Sequence, residues 1–144
     1  DLGRVCEIGS VSVPELMAIE AYAAVFQMVS TVRGRLRRGC DAFDALRASF
    51  PPGSMTGAPK IAAMRLLERL EPVRRGIYSG AIGYFDARGG ADLSVVIRAA
   101  IARDGRAFVH TGGGIVADSD PAAEWREALW KAAPLLALLE EEAP

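Results

Sequence analysis

The sequence predicts an α+β fold, and three observations carry that prediction. Apolar residues recur at helical spacing in some segments and alternate at strand spacing in others. Turn signals separate three consecutive strand-like runs in the second half, which makes neighbouring strands antiparallel. A long closing segment has the length and end signals of a helix.

Taken in order, Pro14 to Tyr22 reads as a short helix begun by proline. Residues 25–36, with Val25, Val29, Thr31 and Val32, read as a strand. Residues 41–49 form a short helix with Asp41 as N-cap. Residues 59–71 form another, with Ile61, Met64, Leu67 and Leu70 spaced to bury one face. Strands follow at about 77–86, 92–102 and 106–117, joined by a turn over Ala87 to Gly90 and a hairpin at Asp104-Gly105. A helix from about Asp120 to Glu140 closes the chain, capped by Asp118, Ser119 or Asp120, with Pro121 in its first turn.

Bulk properties exclude several classes. The 144 residues suffice for one ordinary domain. Seventeen basic and 18 acidic side chains leave a formal net charge of −1, with no basic stripe for nucleic acid. No apolar run approaches a membrane span and no signal peptide is visible. Cys6 and Cys40 lack metal-ligand spacing, which favours reduced thiols in a cytosolic protein. The chain opens on Asp1 without methionine, so we expect it to be the end portion of a longer protein.

Several clusters can carry chemistry. Pro52 to Lys60 combines two glycines, two hydroxyls and a lysine at a helix start. Gly53 and Gly57 permit close approach and positive φ. Thr56 can cap the helix that begins near Pro59, and the free N–H groups there attract an anion. It is not a P-loop, because Ala-Pro-Lys follows Gly57. Read by itself, it is also an ordinary capped helix start. On the middle strand Arg98 is the one charge in the apolar run Leu93 to Ala102. A buried guanidinium suits a carboxylate, of a ligand or of a structural salt bridge, and the other reading is an edge-strand arginine in water. Gly112, Gly113 and Gly114 mark either a plain bulge or a close approach to a ligand. Glu124, Glu127 and Lys131 share a face of the last helix, opposite an apolar stripe of Trp125, Ala128, Leu129, Ala132 and Leu136. Two such carboxylates can hold Mg2+, or form a solvated face with an ion pair. Tyr78 can donate a hydroxyl to a ligand or simply pack. His110, the sole histidine, has no triad partners and reads as structural.

As an ordered set these segments resemble the chorismate-utilising enzymes, the family of anthranilate synthase component I, aminodeoxychorismate synthase component I, isochorismate synthase and salicylate synthase. The resemblance runs through Asp1 to Cys6, Val29 to Val32, Gly53 to Lys60, Tyr78 to Tyr84, Ile97 to Ala100, Gly112 to Pro121, and Glu124 to Glu127 with Lys131. It implies that residues 1–144 are the C-terminal portion of a chorismate-binding catalytic domain, a two-sheet α/β sandwich of mainly antiparallel strands with flanking helices. It implies that Arg98 and Tyr78, helped by the backbone of Gly112 to Gly114, bind the enolpyruvyl carboxylate. Glu124 and Glu127 would hold Mg2+ against the ring carboxylate, with Lys131 close by as a catalytic and substrate-binding group. Ser54 would lie beside the ring, with Thr56 and Gly57 shaping the pocket.

Gln27 stands where many family members have histidine, and takes that catalytic position without the same proton chemistry. The Ser54 version of the Gly53 to Thr56 motif leans to the aminodeoxychorismate type, which takes ammonia from a glutamine amidotransferase partner. Anthranilate, isochorismate and salicylate synthases are the alternatives, as is a truncated module that binds chorismate without turnover. The resemblance puts the nucleophile-delivering residues and the remaining metal carboxylates upstream of Asp1, so this portion alone is expected to be inactive.

Overall fold

The computed structural model describes residues 1–23 and 26–141. They form two compact units, Asp1–Phe50 with Phe85–Ala91, and Pro51–Tyr84 with Asp92–Pro144. Antiparallel strand pairs and helices make both, as an α+β fold requires.

The first unit opens with a 3-10 turn, Leu2–Arg4, followed by β1 (Ser12–Ala21) and β2 (Phe26–Arg33), which pair antiparallel. Strand β1 replaces the helix expected from Pro14 to Tyr22. Its pairing runs from Ser12 opposite Arg33 to Ala21 opposite Phe26, with irregularities on either side of Glu15. Met17 sits at φ 52, and its N–H donates to the Ser30 hydroxyl at 2.9 Å. A left-handed residue cannot continue a right-handed helix. The strand partner supplied by Val29 and Thr31 outweighs the helical preference of Leu16, Met17 and Ala18. Val25, read as the start of β2, lies outside the described residues.

Val5 and Cys6 are the buried apolar residues of this unit. Cys6 bridges to Leu36, and a Cβ on Gly34 would lie 2.6 Å from the Cys6 sulfur, so glycine is required there. Cys6 and Cys40 are both free thiols. Helix α1 (Ala42–Ser49) starts as expected at Asp41, whose carboxylate accepts from the Asp44 N–H while the Asp44 carboxylate accepts from the Asp41 N–H. Phe43 stacks on Phe85 at 4.2 Å between ring centroids.

In the second unit, α2 (Gly53–Thr56) is a single turn and α3 spans Lys60–Leu70. Thr56 does not cap α3. Pro59 occupies the N-cap position without a side-chain hydrogen bond, and the Thr56 hydroxyl bonds the backbone of Pro52 and Gly57. Nor is the α3 stripe buried, for Ile61 and Leu70 remain exposed.

Strand β3 (Ala81–Phe85) pairs with β4 (Ala91–Val95) across the turn at Asp86 to Gly90. The expected middle strand breaks after Val95. Arg98 lies in a bend at φ 50, and the chain resumes as β5 (Ala100–Arg103). The apolar run from Leu93 to Ala102 is therefore two strands and a bend, not one continuous strand. Strand β6 (Arg106–Val109) pairs with β5 through Asp104 and Gly105, both left-handed (φ 52 and 70), as the two-residue hairpin demands. It is shorter than the expected 106–117, because its partner β5 begins only at Ala100, opposite Val109, and the glycines beyond supply no side chains to extend a strand. Helix α4 (Pro121–Glu141) packs on β6. Of its three candidate caps, the Asp120 carboxylate accepts from the Ala123 N–H at 2.8 Å. Ala132 is its buried residue, whereas Trp125, Leu129 and Leu136 of the expected buried stripe are exposed.

Candidate active site

The glycine run after β6 and the first turns of α4 bring most of the candidate residues together within the second unit. A Cβ on Gly113 would lie 2.7 Å from Glu124 Oε2 and 4.0 Å from Glu127 Oε1. Both carboxylates thus converge on the bare backbone at Gly113. Lys131 Nζ forms an ion pair with Glu127 one helical turn away, and donates to the Gly112 carbonyl at 3.1 Å. A Cβ on Gly112 would lie 3.2 Å from the Tyr78 hydroxyl, which brings Tyr78 to the same run. The third glycine, Gly114, has open space at its Cα.

The charges set the electrostatics. Glu127 is held below the ordinary carboxylate range, first by its hydrogen bond from Lys131 and then by the lysine's charge, with a further contribution from Arg98. Arg98 is exposed, as in the solvated alternative, and the bend at φ 50 takes it off the strand.

Ser119 was read only as a possible helix cap. Its hydroxyl donates to Glu124 Oε1 at 2.6 Å and accepts from the Val116 N–H at 3.0 Å, fixing one carboxylate oxygen and leaving Oε2 turned to Gly113. A serine five residues before an acidic residue on the opening turn of a helix was the available signal.

Tyr78 lies in the turn before β3, not on the strand itself. It packs edge-on against His110, with ring centroids 5.7 Å apart. Behind it stands an ion pair that sequence reasoning missed. Glu71 accepts from Arg75 Nε through both oxygens (3.0 and 2.8 Å), and Arg75 donates on to the Met55 carbonyl (2.6 Å) and the Ser79 hydroxyl (3.1 Å). The Arg75 hydrogen bond holds Glu71 below the carboxylate range, and that with Glu71 pushes Arg75 up. The four-residue spacing of Glu71 and Arg75 past the end of α3 was the signal.

Three further candidates lie on or next to α2, and one lies in the first unit. Ser54 is exposed on α2, Thr56 is buried with its hydroxyl spent on the backbone, and Gly57 adopts φ 89. Gln27 belongs to the first unit, on β2 opposite Glu20, where its amide donates to the Met28 carbonyl at 3.4 Å.

Among the described residues no group of three or more His, Cys, Asp or Glu side chains could hold a metal. The pair Glu124 and Glu127 still fits Mg2+, which takes hard oxygen donors and is commonly bound by one or two carboxylates with water and substrate completing the shell.

A helix turn with paired carboxylates thus lies beside the glycine run that follows β6, on an α+β scaffold. The chain belongs to the chorismate binding enzyme family, whose sequence model matches residues 1–137. It is 55% identical over 141 residues to an aminodeoxychorismate synthase of Streptomyces pristinaespiralis, covering 98% of this chain and 20% of that protein. It is 52% identical over 136 residues to anthranilate synthase component 1 of Streptomyces coelicolor, covering 94% and 27%. Among solved structures, anthranilate synthase component I of Streptococcus pneumoniae superposes with a TM-score of 0.82 at 45% identity, over 90% of this chain and 30% of that one. The chain thus spans only about a fifth to a quarter of the length of the curated relatives it matches. No described helix is long and apolar enough to cross a membrane.

Proposed function

We propose that this chain is the C-terminal portion of the catalytic domain of a Mg2+-dependent aminating chorismate enzyme of the aminodeoxychorismate synthase type. Such an enzyme exchanges the C4 hydroxyl of chorismate for an amino group, consuming ammonia and releasing water. The observation that carries the reading is the convergence of Glu124, Glu127, Lys131 and Tyr78 on Gly112 and Gly113.

Chorismate is a dianion, and the cluster offers a different handle to each end. Arg98 and the Tyr78 hydroxyl, with the N–H groups of Gly112 to Gly114, take the enolpyruvyl carboxylate. Glu124 and Glu127 hold Mg2+, which when bound supplies charge neutralisation and Lewis acidity at the ring carboxylate. Lys131 secures Glu127 and the Gly112 carbonyl in one geometry, so two walls of the pocket keep their spacing. Ser54, Thr56 and Gly57 shape the side of the pocket next to the ring, and Gln27 takes the position of the family histidine as a hydrogen-bonding but not proton-transferring group.

The amination reading rests on Ser54 within Gly53 to Thr56, and relatives of both the aminodeoxychorismate and the anthranilate type are similar to this chain. A glutamine amidotransferase subunit or domain would supply ammonia in a cytoplasmic setting.

The test is product analysis with the full-length gene product that carries these residues, given chorismate, Mg2+ and ammonium. Amino-deoxychorismate as product supports the reading. Anthranilate, isochorismate or salicylate reassigns the branch, and chorismate bound but unconsumed leaves the binding-module alternative. Glutamine replacing ammonium only when an amidotransferase is added identifies the partner.

A further inference from the structure

Arg75 joins three separate segments of the second unit. Its backbone carbonyl accepts from the Tyr78 N–H at 3.1 Å, which closes the turn that presents Tyr78. Its guanidinium reaches the Met55 carbonyl in α2 and the Ser79 hydroxyl beside Tyr78. The Glu71 carboxylate, at the end of α3, holds the fork in place from the other side.

Two further features show that this junction is built. Thr56, next to Met55, and Ser79 are buried polar residues, the only two among the described residues. Ser79 also adopts φ 66, a conformation that is uncommon for a residue with a side chain and that the surrounding bonds must hold. The Ser79 N–H donates to Val96 and the Val96 N–H to Gly80, each at 2.9 Å, so the clamp extends to the segment leading into Arg98.

From this geometry we infer that Arg75 is a positioning residue, a fork that locks the Gly53–Thr56 turn to the Tyr78 turn so that both present to one ligand as a single surface. The inference deepens the chorismate reading and rests on it for the identity of the ligand. The guanidinium's hydrogen bonds to Glu71, Met55 and Ser79 act on the placement of Tyr78 and of the α2 turn. Lysine cannot replace it, because a single ammonium cannot serve Glu71, Met55 and Ser79 in the same plane.

The experiment compares wild type, Arg75→Ala and Arg75→Lys in the full-length gene product, by amide hydrogen exchange and by steady-state kinetics with chorismate. In Arg75→Ala, amides of residues 53–58 and 78–80 should exchange about tenfold faster while α4 keeps its protection. KM for chorismate should rise by about tenfold with a smaller change in kcat, and added guanidinium at millimolar levels should recover part of it. Arg75→Lys should lie between the two, and it carries the test if the alanine variant does not fold.

Unchanged exchange at 53–58 in the folded variants overturns the clamp. So does loosening spread equally over α4, or an unchanged KM in enzyme whose wild type turns chorismate over. A wild type that neither binds nor converts chorismate overturns the functional reading instead, and the exchange pattern then decides the clamp alone.

Discussion

Glu127 and Lys131 form the most informative pair at the level of single residues. Glu127 titrates below its ordinary value of 4.5 in the folded state because Lys131 bonds its charged form. A carboxyl depressed by folding adds stability that is fully present above its unfolded pKa and disappears as pH falls through the folded value. Lys131→Met should therefore return Glu127 upward toward 4.5, removing that acid-side contribution. Carboxyl-carbon NMR with labelled glutamate, the resonance assigned by Glu127→Gln, measures it; an unmoved Glu127 would mean that Lys131 is not its partner in solution. Gly113 gives a second expectation. A methyl group there would meet Glu124 Oε2 at 2.7 Å, the far end of a side chain that can swing aside only by giving up Ser119. Gly113→Ala should thus leave the fold within about 0.5 kcal/mol of wild type, while chorismate turnover falls by about a hundredfold through a displaced Glu124. Equal losses of stability and turnover would contradict this. Ser119→Ala should weaken Mg2+ activation by about tenfold, as loss of an orienting partner of a metal ligand does, read from the Mg2+ dependence of the rate.

At the scale of elements, legibility followed how local the determining interaction is. Asp41 with Asp44 and Asp104 with Gly105 act over a few residues, and both the helix start and the hairpin were readable from the sequence. Helix α4 was readable because Asp120 and Pro121 mark its start. Strand β1 was not. Its identity depends on a partner strand and on a left-handed Met17, neither of which is encoded within Pro14 to Tyr22. The break at Arg98 was hidden for the same reason, since the apolar run from Leu93 to Ala102 reads as continuous while its backbone turns at φ 50. The acidic pair and glycine run of the candidate site were legible as spacing, whereas the link from Arg75 to α2 was not, because that acceptor is a backbone carbonyl 20 residues away. One element-level expectation comes from Gly83 in β3, where a Cβ would collide with the Asp92 carbonyl oxygen of the paired strand. Backbone cannot yield as a side chain tip can. Gly83→Ala should cost about 3 kcal/mol or more in urea denaturation, and a variant as stable as wild type would show that the β3–β4 pairing is looser than drawn.

For the molecule as a whole, many large apolar side chains are left in water. Phe26, Ile19 and Leu16 on the β1–β2 pair and Trp125 and Trp130 on α4 are each at least two-thirds exposed or nearly so, where a soluble monomer rarely shows contiguous apolar patches of more than a few hundred Å2. Val5, Cys6 and Ala132 are the only apolar residues buried among those described. Too little apolar area leaves water to offset the conformational entropy of ordering 144 residues. Relatives of which this chain covers a fifth to a quarter have ample further length to cover these faces. The 144 residues expressed alone should therefore melt without a cooperative transition, bind a hydrophobic dye and self-associate, while the full-length gene product unfolds cooperatively and leaves the dye dark. Calorimetry and dye fluorescence on both proteins decide it: a sharp, dye-silent transition from the 144 residues by themselves would mean that these apolar faces close on one another in solution, and that the site at Gly112 and Gly113 is supported by this chain's own packing.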